Sequence, residues 1–129
     1  MAKEVSTEFK TAFGRMLVGL NMNYTSGNAL NFSSTLLLYT RTGLYTMGVM
    51  EKYELEFRKA ETIYKNAVNH LKLKGRNSYA ESQIFQMCFE INKAILPIAL
   101  AEGILVINET MFSVMDMFQV DPNQKGARK

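Results

Sequence analysis

A heptad ladder running from Leu36 to Leu71 constrains the fold of this chain more than any other feature. Leu36, Tyr39, Gly43, Thr46, Met50, Tyr53, Phe57, Ala60, Tyr64, Ala67 and Leu71 follow one another at alternating steps of 3 and 4. That alternation keeps all eleven on one stripe of an α-helix, the seam along which helices pack against helices. The seam predicts Met50, Tyr53, Phe57, Tyr64 and Leu71 as self-association residues, with Phe57 at the centre of the packing. The chain reads as a helical packing protein.

The remaining punctuation agrees. A length of 129 residues supplies one core, and 47% apolar with 21% charged residues suits a folded chain. Neither of the two prolines falls before Pro97, and the turn signals that a β-sandwich needs every ~8–12 residues are missing. The fold class expected is all-α: one domain, 1–129, as a helical bundle with a long central helix and an apolar C-terminal helical hairpin. Residues 1–50 read as a basic and polar N-terminal helical arm, 51–120 as the bundle and 121–129 as a basic tail.

Helix 1 is expected from about Lys3 to Leu20, with Val5, Phe9, Ala12, Phe13, Met16, Leu17 and Leu20 on its apolar face. The polar stretch 21–28 reads as a loop. Helix 2 is expected to start near Ser33 or Ser34 and to reach Lys74, with Gly75 as its stop. Uninterrupted, it would span roughly 60 Å at about 1.5 Å per residue. Gly43, Gly48 and the threonines between Thr40 and Val49 lower helix propensity, which predicts a kink or break there. Glu54 with Arg58 and Glu61 with Lys65 have salt-bridge spacing. Helix 3 opens on the capping box Ser78-Tyr79-Ala80-Glu81 and buries Ile84, Cys88, Ile91, Ile95 and Ile98. Pro97 should kink or end it. Helix then resumes to Phe118, adding Ile104, Ile107, Met111 and Phe118 to the self-association set.

Catalytic patterns are scarce. Glu102, Glu109 and Asp116 are seven apart, about 10 Å along a helix axis, too far to share a metal or act as an acid–base pair. They read as a solvated stripe or as contacts to basic groups on a neighbour. His70 has no ligand-spaced companion and is expected to be exposed. Cys88 lies on an apolar stripe with no base beside it, so a buried, inert thiol is expected. No glycine-rich nucleotide motif is present. The expectation is no enzyme, no cofactor, no metal and no small-molecule substrate. No signal peptide is expected, because the first apolar run follows Lys3, Glu4 and Glu8 and is broken by Gly14 and Arg15. The 14-residue run Ala94 to Ile107 carries Glu102 and falls short of the ~20 residues a membrane span needs.

Charge is laid out unevenly. Residues 1–76 carry eleven Lys/Arg against six Glu, whereas 77–120 carry Lys93 against five acids. Lys3, Lys10, Arg15, Arg41 and Lys52, interleaved with tyrosines and with Ser, Thr and Asn, suit a surface that contacts phosphates by charge without reading bases. Lys72, Lys74 and Arg76 cluster at a helix end.

Met1-Ala2-Lys3, an amphipathic helix with spaced Lys/Arg, the Asn/Ser/Thr/Gly-rich stretch 21–48 and an apolar helical second half together resemble, in layout, the coat proteins of rod-shaped and filamentous archaeal viruses. The resemblance implies N-terminal helices on double-stranded DNA, C-terminal helices in an outer wall, and a virion assembled in the host cytoplasm. The function expected is a self-assembling coat (capsid) subunit packing around nucleic acid. A cytoplasmic helical-bundle adaptor, chaperone or phage-type inhibitor that binds one protein partner competes with it. A third reading is a peripheral membrane protein using Ile98 to Phe118.

Overall fold

The protein is all-α. The computed structural model describes residues 4–74, 78–106 and 114–120. Four helices run α1 (Thr7–Met22), α2 (Ser26–Met47), α3 (Glu54–Lys74) and α4 (Ser78–Ala101), with a 3-10 turn at Met50–Tyr53 between α2 and α3. Among the described residues there is no strand.

Each start and stop has a local cause. The Ser6 hydroxyl accepts the Phe9 N–H and caps α1. The Thr25 hydroxyl accepts the Asn28 N–H and starts α2 at Ser26, so the polar stretch expected as a loop is mostly helix, and only Asn23, Tyr24 and Thr25 link α1 to α2. The low-propensity zone ends α2, as expected. Gly48 adopts φ +75°, donates to the Tyr45 carbonyl, and lets Val49 donate back to Leu44. This left-handed closure suits glycine. An uninterrupted helix from Ser33 to Lys74 does not form.

Gly103 closes α4 in the same way at φ +74°, with Gly103 N–H on Leu100 O and Ile104 N–H on Ala99 O. Pro97 sits inside α4, which runs four residues further to Ala101. One expectation is corrected here. Residues 102–105 are turn and bend, so the helix expected from Ile98 to Phe118 is interrupted after Ala101; among the described residues it reappears as a single turn at 114–117, ahead of Gln119 at φ +58°. Glu109, Ile107, Met111 and the basic tail 121–129 lie outside the described residues, as does Gly75.

Successive helices run antiparallel. Phe9 and Phe13 meet Tyr39 at ring distances of 5.1 and 5.2 Å, Arg41 reaches Glu61, and Ala67 packs with Ala29 and Leu30. α4 then lies parallel to α2, with Ser26 bonded to Glu81 and Ser33 to Asn92. α2 packs against each of the other three, and α1 packs chiefly on α2. The main core joins Phe13 and Leu17 of α1, Leu36 and Leu44 of α2, Phe57 of α3, Ile91 and Ile95 of α4, and Ile104. The segment expected as an N-terminal arm thus shares its core with the rest of the bundle. Phe118 docks its ring against Phe32 at 5.2 Å, with Tyr24 and Phe89 around it.

α4 also has the length and composition to cross a membrane, but half of the window concerned is covered inside the chain, the pattern of a core helix.

Candidate interaction surface

The ladder read from the sequence is a burial ladder: every member except Thr46 is buried or half-buried. Its two halves belong to two antiparallel helices that face the same core. Met50, Phe57, Ile104 and Phe118, expected as self-association residues, are therefore covered by their own chain. Tyr53, Tyr64 and Leu71 are half-buried against the same clusters. A surface for other copies has to be built from other side chains.

The basic residues divide in a similar way. Arg41 is bonded to Glu61 and lies over the Phe57 ring, 5.8 Å from its centroid. Lys52 pairs with Glu102 at 3.4 Å and sits over Tyr53. Both cations are committed within the chain. Glu102, half-buried, also accepts from the Tyr53 hydroxyl. Burial, then this hydrogen bond and the carboxylate charge, push the Tyr53 phenol up to about 12. The acidic stripe thus has one member engaged internally, while Asp116 is exposed. Lys10 is half-buried and Arg15 exposed, and neither is in an ion pair among the described residues. Lys3 and Arg76 lie outside those residues. Lys72 is exposed.

Cys88 is fully buried, and desolvation pushes its thiol up, away from the reactive thiolate. His70 is half-buried rather than exposed, with its Nε2 covered and without a hydrogen-bond partner among the described residues. Among the described residues no three His, Cys, Asp or Glu side chains gather closely enough to hold a metal ion.

What the sequence did not disclose is the side of the α1–α2 hairpin. Two cavities lie there, of about 530 Å³ and 450 Å³. The first is lined by Glu8, Phe9, Ala12, Leu38, Tyr39 and Thr42, among others. The second is lined by Arg15, Met16, Gly19, Leu20, Asn31 and Thr35. Leu38 stands on the lip, 61% exposed, and Tyr45 follows one heptad along α2, 62% exposed. α2 contains one charged residue in 22, the neutralised Arg41. Such a side is poorly hydrated by its own chemistry. The clue available in the sequence was the absence of charge from 26 to 40, which a reading of the ladder alone assigns to a buried seam.

Compared with known protein families, curated proteins and solved structures, the chain shows no significant match.

Proposed function

We propose that this protein is a non-enzymatic helical subunit that works by associating with its own copies, the class to which coat proteins belong. The observation that carries the reading is the open side of α2, where Leu38 and Tyr45, more than half exposed, stand among Asn31, Thr42 and Thr46 with no fully exposed charge of α2's own. A closed, point-symmetric dimer places a patch against its own copy, so a patch without net charge meets no self-repulsion there. Nucleic acid is the second partner in this proposal. Its support is narrower: among the described residues Lys10 is in no ion pair, whereas Arg41 and Lys52 each have a carboxylate partner.

The test is the mass of the native particle by sedimentation at micromolar concentration, with the ultraviolet absorbance ratio read on the same peak. The chain has six tyrosines and no tryptophan, so bound nucleic acid dominates that ratio. A dimer or larger particle is expected. A monomer overturns the reading in favour of an adaptor for a different protein. An oligomer without nucleic acid at low salt keeps the subunit and removes the coat.

A further inference from the structure

The two cavities beside α1 are consecutive stretches of one groove. Their lining positions on α1 (Glu8, Ala12, Arg15, Gly19) and on α2 (Asn31, Thr35, Leu38, Thr42) both step by 4, 3 and 4, so each set occupies one stripe of its helix. The helices are antiparallel, and the sets oppose one another in order: Glu8 with Thr42, Ala12 with Leu38, Arg15 with Thr35, Gly19 with Asn31. Eleven residues at about 1.5 Å each give a groove about 16 Å long. Its α1 wall is low at Ala12, which is small, and at the far end, where a Cβ added at Gly19 would meet nothing within 4 Å.

Among the described residues two charges line the groove, and they have opposite signs. Glu8 and Arg15 are both exposed, seven residues apart on the same stripe of α1, and neither is in an ion pair among the described residues. A two-fold axis crossing α1 between Thr11 and Ala12 brings Glu8 of one copy opposite Arg15 of the other, and does so twice. A foreign helix would need that charge pattern by coincidence; a second copy carries it by symmetry. Ala12, small and at the crossing, lets the two backbones approach, and Leu38 from each α2 then covers the flank of the partner's α1.

Resting on the self-association reading, we infer that the groove between α1 and α2 receives α1 of a second copy, antiparallel, with reciprocal Glu8–Arg15 pairs fixing the alignment. The residues that specify the interface are Glu8, Ala12, Arg15, Gly19 and Leu38.

Charge reversal tests this on the full chain. E8R and R15E, each alone, replace both attractive contacts by repulsive ones and should raise the self-dissociation constant by roughly tenfold or more. An equimolar mixture of the two variants restores opposite charges at both contacts and should recover wild-type association. E8R also removes an acid from the first turn of α1, where it complements the helix dipole. Circular dichroism is therefore recorded for each variant, and R15E carries the same expectation free of that cost. If the wild type itself is monomeric, the self-association reading fails. If it associates but both single variants associate equally well, or the mixture stays weak, the groove assignment fails and the reading survives.

Discussion

α2 and α3 share one hydrophobic ladder and solve the same packing problem in opposite ways. α2 buries eleven of its 22 residues, including Ser33 and Thr40, and carries the single charge of Arg41. α3, nearly as long, buries Phe57, Ala60 and Ala67 and clothes the rest in Glu, Lys and Arg. α2 is surrounded on three sides by helices, whereas α3 is an amphipathic cover whose outer face meets water. A heptad stripe reports only which face looks inward. How much of the remaining surface is also covered is decided by the neighbours.

The strongest challenge to this contrast falls on α3. Phe57 is its one large fully buried side chain, and Phe57→Ala should cost about 3–5 kcal/mol in urea unfolding. A cost below about 1 kcal/mol would show that α3 is only loosely held and that α2 and α4 form the core alone. In α2 the sensitive point is Gly43, where an added Cβ would lie 2.8–3.0 Å from three carbons of Ile104. Gly43→Ala should destabilise by about 1–3 kcal/mol through overpacking, despite the better helix propensity of alanine. A gain in stability would mean that Ile104 moves aside and that α2 is less tightly enclosed than described.

The joint between the two helices is probed by Tyr53. Removing its hydroxyl with Tyr53→Phe should cost about 0.5–1.5 kcal/mol, measured by thermal or urea unfolding. Its pKa is raised on folding to about 12, so the stabilisation is complete below the ordinary tyrosine value and is lost as pH rises toward 12. Tyrosinate absorbance followed by pH should show two phenols titrating late, Tyr53 and Tyr24, the latter pushed up further by its burial, and Tyr53→Phe should remove the earlier of the two. The smallest effect belongs to the tie between α2 and α3: a double-mutant cycle on Arg41 and Glu61, both partly exposed, should give a coupling of about 0.2–1 kcal/mol.

The inward face of the ladder was legible because periodicity is local, and so was the break, because glycine and threonine lower helix propensity wherever they stand. The role of Gly43 was not. It reads as a helix weakener, yet its use is to let Ile104 come close, a contact 61 positions away that no local pattern encodes. Charges were legible as residue types but not as partners: Arg41 and Lys52 read as free cations until Glu61 and Glu102 were placed beside them. The groove depends on the alignment of two helices, which the composition of either one leaves open.

The hydrogen bond from the Ser33 hydroxyl to Asn92 Oδ1, 2.9 Å long, has a further consequence. α2 and α4 run side by side in the same direction with α3 intervening, so no tight connection dictates how far one slides along the other. A slip of one turn, about 5.4 Å, would bring a different set of apolar side chains together. The same slip would strand a hydroxyl and an amide oxygen in a dry interior, at about 1–3 kcal/mol for each unpaired group. Together with Ser26 on Glu81, this buried polar contact thus favours the one alignment of α2 and α4 that the chain adopts.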